Sequence, residues 1–181
     1  MGRNKTIDRD KVLDAAEVLI TKSGTAGLTL DGVAKAVGIS KGGVQYCFGS
    51  KDALIDALFE RWSKAYEMLF SEVAGADATP VGKVRAHVVA TQRSDDHAST
   101  KAASLMAALI QTPEYLDSTR DWYQSRIDGL DLANQAGRRA RLAFLATEGA
   151  FMLRFFGLMK MDDHEWDDIF KDIHELLTDK S

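Results

Sequence analysis

The sequence predicts an all-α protein of about nine helices, with a three-helix unit carrying a helix-turn-helix over residues 1–50 and a larger helical body over residues 51–181. Three observations predict it. Apolar residues recur at i, i+3, i+4 and i+7 along nearly the whole chain, and alternating Val/Ile/Thr runs are missing. Only two prolines, Pro80 and Pro113, occur in 181 residues, so little of the chain is barred from a helix interior. Where periodic stretches stop and start stand residues that end or cap helices, among them Gly24, Thr29, Gly38 and Ser40.

The first helix is expected from Asp8 to Ser23, with Val12, Leu13, Ala16, Leu19 and Ile20 on its apolar side and Asp8 and Asp10 in the first turn, where the helix dipole favours anions. Gly24 ends it. Leu30, Val33, Ala34 and Val37 give the second helix one apolar stripe, and Thr29 stands at its N-cap with a hydroxyl able to meet a phosphate. Gly38 follows the last periodic residue, where a left-handed cap costs glycine least. Ile39 plugs the turn and Ser40 caps the third helix. Val44, Cys47 and Phe48 anchor that helix on one side; Lys41, Gly42, Gln45 and Tyr46 lie on the other. A short helix with an apolar underside and a small, polar, cationic top fits a DNA major groove. A core of three such helices is marginal alone. The fourth helix, Lys51 to Val73, carries two apolar stripes, one through Leu54, Leu58, Ala65 and Leu69, the other through Ile55, Phe59, Trp62, Tyr66 and Phe70. So wide an arc implies burial on more than one side, with the start against the three-helix unit and the rest against the body.

Residues 75–80 form a loop, and Pro80 suits an early helix position. Val81, Val84 and Val88 mark a helix ending near Gln92; Ala98–Ile110 is the next, and Thr112-Pro113 breaks it and starts one that runs to Leu130. From Arg138 to Leu158 the pattern is apolar nearly all round: Leu142, Leu145, Gly149, Met152 and Phe156 on one stripe, Phe144, Phe151, Phe155 and Leu158 on another. The last helix, Asp163–Leu177, has a single stripe of Trp166, Ile169, Phe170, Ile173, Leu176 and Leu177. So much apolar surface on two adjacent helices suggests a two-fold dimer face, with Leu145, Met152, Phe156, Trp166, Phe170 and Ile173 as its candidates.

Composition bounds the setting. The chain is 45% hydrophobic and 28% charged, as in a globular protein, and no apolar run approaches the ~18–20 residues of a membrane span. The start, MGRNKTIDRDK, lacks the apolar stretch of a secretory signal, and Cys47 is the only cysteine, so a reducing, cytoplasmic compartment is expected. The net charge of −4 is unevenly spread: residues 1–51 carry +3 and the remainder −7. A basic end on an acidic body suggests a polyanion partner for one end only. Arg3 and Lys5 are either part of a frayed terminus or a basic arm reaching phosphate.

These residues carry a family resemblance. Thr29–Lys51, followed by Asp52-Ala53-Leu54-Ile55, resembles the N-terminal domain of the TetR-type (TetR/AcrR) transcriptional regulators. The matching features are the helix start at Thr29, Ala34, the Val37-Gly38-Ile39-Ser40 turn, and the Tyr46-x-Phe48-x-Ser50-Lys51-Asp52-x-Leu54 ending. The resemblance implies a homodimer on near-palindromic double-stranded operator DNA, an all-helical C-terminal domain for ligand binding and dimerisation, and repression relieved by a small-molecule effector. Matching position for position, Thr29, Tyr46 and Lys51 look like phosphate contacts, and Lys41, Gly42 and Gln45 look like groove-facing positions, so Ser40–Tyr46 would enter the groove. Cys47 replaces the family's common histidine, and Gln45 stands where tyrosine or leucine is frequent; Gln45 suits a bidentate pair with adenine. Gly42 and Gly43 weaken the helix by roughly 1 kcal/mol each and let the backbone approach DNA closely. An effector pocket rests on the resemblance, supported by wide apolar faces, with Trp62, Tyr66, Met106, Trp122, Glu148 and Phe151 as candidates. Glu148 lies on an otherwise apolar stripe and must be paired or reach water; a cationic ligand or a partner-chain arginine would pair it.

Other chemistries have less behind them. Asp95-Asp96-His97 and Asp162-Asp163-His164-Glu165 offer metal-type carboxylates, yet both stand at helix starts that favour acids anyway. Arg138, Arg139 and Arg141 read as a solvated helix start or a second basic patch. Cys47 reads as a small core residue rather than a redox switch. No glycine-rich phosphate loop, nucleophile elbow or zinc-enzyme spacing occurs, so neither an enzyme nor a cofactor is expected.

Overall fold

The computed structural model describes residues 7–76, 79–110 and 116–178. The expected arm at Arg3 and Lys5, residues 77–78 of the loop, and the Thr112-Pro113 break lie outside them. Among the described residues run nine helices and no strand: α1 (Arg9–Gly27), α2 (Leu30–Val37), α3 (Lys41–Phe48), α4 (Lys51–Ala74), α5 (Pro80–Arg93), α6 (Asp96–Ile110), α7 (Asp117–Ile127), α8 (Gln135–Phe155) and α9 (Asp163–Leu176). Within α1, Gly24 leaves helical geometry at φ 65°, ψ −177°, and breaks the helix where its periodicity stops. No helix among the described residues is long and apolar enough to cross a membrane.

The chain divides into two compact units, the first taking Met1–Trp62 and Ser104–Leu116, the second Ser63–Ala103 and Asp117–Ser181. The division falls twelve residues beyond the boundary expected at residue 50, for a physical reason. Val12, Leu13, Ala16, Ile20, Leu28, Val33, Val44 and Phe48 make only a small core by themselves. Leu54, Ile55, Leu58 and Trp62 from α4, and Leu105 and Leu109 from α6, complete it. The added apolar area supplies what a three-helix core lacks.

The second unit is built on Val84 and Val88 of α5, Ala140, Ala143, Phe144 and Ala150 of α8, and Trp166, Phe170, Ile173 and Leu177 at α9. This corrects the reading of α9. Its apolar stripe is spent inside the protomer: Trp166, Phe170 and Ile173 are buried, and Phe170 is fully inaccessible. A single stripe on a terminal helix is what one intrachain core can cover, and here α5 and α8 cover it. The ends of the helices are tied down by charge. Arg85 and Arg139 donate to the carbonyls of Leu177 (3.0 Å) and Thr178 (3.3 Å) just past α9, at the negative end of its dipole. Arg138 donates to the carbonyls of Leu132 and Ala133. Arg154 lies across Trp166 and bridges Asp96 (2.8 Å) and Asp163 (2.6 Å). Asp95 accepts from the amides of His97 and Ala98, and Asp162 caps α9 through Glu165 N. Both acidic clusters therefore serve helix starts and one shared arginine.

Candidate nucleic-acid interface and the buried polar cluster

Three local devices set the bounds of α2 and α3. Thr29 Oγ1 accepts from Gly32 N at 3.0 Å, which leaves its hydroxyl proton for an outside acceptor. Gly38 adopts φ 73°, ψ 36° and closes α2 through the Ala34 carbonyl. Ser40 Oγ accepts from Gly43 N at 3.1 Å and starts α3. The register follows: Val44 (0% exposed) and Phe48 (6%) point into the first core, and Lys41, Gly42, Gln45 and Tyr46 share the opposite, exposed face, with Tyr46 at 90%. Thr29 and Ser40 are exposed as well, and Lys51 is half-buried at the start of α4. Cys47 is half-buried and packs on the core edge. Lys35 is held by Asp31 at 2.7 Å, which raises the lysine's affinity for its proton and lowers the carboxyl's.

The two glycines of α3 divide. A Cβ on Gly42 would meet only Ser40 Oγ, at 3.9 Å. A Cβ on Gly43 would lie 2.9 Å from Ile7 Cδ1. The reading that both glycines clear room for DNA is corrected on this point: Gly43 makes room for Ile7 of its own chain.

The candidate pocket residues do not form one set. Trp62 is a core residue of the first unit, and its indole N–H donates to Glu17 at 3.2 Å; Met106 is also in the first unit, half-buried. Phe151 pairs with Phe155 at 5.0 Å. Tyr66, Trp122 and Glu148 do come together, in the second unit, around residues that sequence reasoning missed. Tyr66 Oη and His87 Nδ1 are hydrogen-bonded at 2.7 Å. His87 Nε2 lies 2.9 Å from Glu148 Oε1, out of line for a hydrogen bond, and Glu148 Oε2 accepts from Tyr123 at 2.9 Å. Beside this chain, Glu67 accepts from Trp122 Nε1 at 2.6 Å and pairs with Arg126, whose guanidinium lies 4.1 Å from the Phe70 centroid and 4.6 Å from that of Trp122. Four helices, α4, α5, α7 and α8, each contribute a polar group. Burial pushes the Tyr66 and Tyr123 phenols well up, with the Glu148 charge adding to it. Glu148 thus meets Tyr123 and His87 within its own protomer, where the sequence left a cationic ligand or a partner-chain arginine as its expected partner. The only early sign of His87 was its place between Ala86 and Val88 on an apolar helix face.

On α8, Leu142, Leu145 and Leu153 are exposed, Leu145 at 57%, and Met152 and Phe156 are half-buried; a Cβ on Gly149, between them, would meet nothing.

Residues 12–58 match the family of bacterial regulatory proteins described as tetR, and residues 82–178, more than half of the chain, match the tetracyclin repressor-like C-terminal domain. The HTH-type transcriptional regulator BetI of Paraburkholderia xenovorans is 34% identical over 87 residues, which are 48% of this chain and 45% of that protein, so the match spans less than half of the relative. Among solved structures, a TetR-family regulator from Streptomyces coelicolor A3 superposes with TM-score 0.63 at 17% identity, covering 99% of this chain and 100% of that one. NalD, the secondary repressor of the MexAB-OprM multidrug efflux pump in Pseudomonas aeruginosa, superposes with TM-score 0.61 at 16% identity, covering 96% of each chain. At such identities the likeness to solved structures is one of fold. With both parts of the chain matched to the same family in the same order, the protein belongs to the TetR family and is a TetR-type transcriptional regulator.

Proposed function

We propose that this regulator acts in the cytoplasm as a homodimeric repressor that binds near-palindromic double-stranded operator DNA, and that a small-molecule effector releases it. The exposed face of α3 carries the reading: Lys41, Gly42, Gln45 and Tyr46 lie together on it while Val44 and Phe48 hold the helix from beneath. Lys41 and Gln45 read base edges, and Thr29, Tyr46 and Lys51 hold phosphates and fix the register. Ser40 brings the helix N-terminus toward the groove. The sign of regulation is taken from NalD, a repressor of like fold. Leu142, Leu145, Met152 and Leu153 of α8, with Phe156 at its C-cap, supply the dimer face, and the bare backbone at Gly149 lets the partner's helix approach closely. The reading gives the chain no catalytic step and no cofactor.

The effector acts on α4. That helix has Lys51 at its start and, further along, Tyr66 and Glu67, whose side chains belong to the buried polar cluster. A ligand that rearranges Tyr66, Trp122 or Glu148 changes the position of α4, and with it the phosphate contact at Lys51. A coupling of about 1–3 kcal/mol would change operator affinity by roughly 5–150-fold.

Selection of bound fragments from genomic DNA, followed by footprinting, tests the reading. The expected result is one sequence with two protected half-sites separated by about 34 Å or a multiple. On that sequence Gln45→Ala should cost about 1–3 kcal/mol per half-site at particular base pairs. Recovery of random DNA alone would overturn it.

A further inference from the structure

Arg9 stands in the first turn of α1, where the helix dipole disfavours a cation. Its side chain serves another helix. Arg9 Nη1 donates to the carbonyl of Cys47 at 2.8 Å, and the guanidinium carbon lies 4.2 Å from the centre of the Phe48 ring. Cys47 is in the last turn of α3, where carbonyls lack intrahelical donors and the dipole end is negative, so a cation is favoured there. Phe48 is a core residue, which makes its ring a fixed surface for the guanidinium. Two residues earlier, Ile7 places Cδ1 against Gly43 near the other end of the same helix.

We infer that Arg9, with Ile7, is a positioning element for the DNA-reading helix. α3 has eight residues, two of them glycine, and is too short and too weak to hold its own direction. The hydrogen bond to Cys47 O fixes where α3 ends, and the stack on Phe48 fixes its rotation. Rotation decides where Lys41, Gln45 and Tyr46 point. A fork-shaped, planar cation does both jobs, and a lysine ammonium cannot reproduce the stack. Arg9 thus acts on base selection through α3 and touches no base itself. This inference rests on the reading that α3 enters the groove.

The test uses the full-length protein, a duplex carrying the sequence it selects from genomic DNA, and a scrambled duplex of equal length. Arg9→Gln should lower the ratio of selected to scrambled affinity by roughly tenfold, the worth of one hydrogen bond to a charged group. Binding to scrambled DNA and the slope of affinity against salt should stay at wild-type values. Arg9→Lys should restore the ratio only in part. Three results would overturn the inference: equal loss on both duplexes with a salt slope lower by about one per protomer, which marks a phosphate contact; full restoration by lysine; or a drop in melting temperature with an unchanged ratio, which marks a purely structural role. A wild-type protein that selects no sequence would remove the groove reading, and this inference with it.

Discussion

Replacing Gly42 with alanine separates what α3 needs to fold from what the proposed reading asks of it on DNA. Glycine in a helix costs about 0.8–1.0 kcal/mol relative to alanine. The new methyl would meet only Ser40 Oγ at 3.9 Å, an ordinary contact, so nothing opposes the gain. Gly42 sits in the first turn, where propensity counts for less, and the net gain should be about 0.5–1 kcal/mol. In a chain of this size that raises the melting temperature by about 1–4 °C. DNA binding should move the other way. If the bare backbone at Gly42 lies against a base edge, a methyl there costs about 1–3 kcal/mol at each half-site. Calorimetry on the free protein and fluorescence anisotropy on the selected duplex measure the two effects separately. A higher melting temperature with unchanged operator affinity would refute the placement of Gly42 against DNA; a lower melting temperature would refute the account of α3's packing.

Three further outcomes follow from the second unit. Glu148→Leu removes the carboxylate that accepts from the Tyr123 hydroxyl and faces His87; urea unfolding should show a loss of about 2–4 kcal/mol, and a neutral change would mean that the cluster does not hold its helices together. His174 has its pKa lowered by burial first and by Arg85 and Arg93 second, so the folded state favours neutral imidazole. Its contribution to stability is present above the unfolded value near 6.5 and is lost as pH falls through the folded value. His174→Gln should therefore flatten the decline in melting temperature between pH 7 and 5, and an unchanged decline would assign it to other groups. Leu145→Asp places a charge on the exposed stripe of α8 and should reduce the light-scattering mass from twice 19.9 kDa to the single-chain value; a persistent dimer would move the interface elsewhere.

How far the sequence could be read depended on how local the physics was. Thr29, Gly38 and Ser40 act within four residues of themselves, and their caps are where the residue types put them. The faces of α3 follow from 3.6-residue periodicity alone. Gly43 shows the limit. Its neighbour Ile7 is 36 residues away, and no spacing rule connects them. The polar cluster shows the same limit more strongly: Tyr66, His87, Tyr123 and Glu148 come from four helices, and each taken singly reads as a core residue or an oddity. The stripe of α9 was legible as a stripe, but amphipathicity states only that a face is covered, not by which chain. Phe170 and Trp166 are covered by their own protomer.

On the proposed reading, α3 divides its labour among its residues. Val44 and Phe48 hold α3 from beneath, the Ser40 cap starts it and the grip of Arg9 holds its end. Lys41, Gln45 and Tyr46 lie on that face and bear little of the fold; substitutions at such exposed positions usually change stability by about 0.5 kcal/mol or less. If this face reads the operator as proposed, the address can be rewritten without rebuilding the reader. On the proposed reading, divergence, or an engineer, can search new operators through Lys41 and Gln45 while the scaffold beneath stays as stable as before.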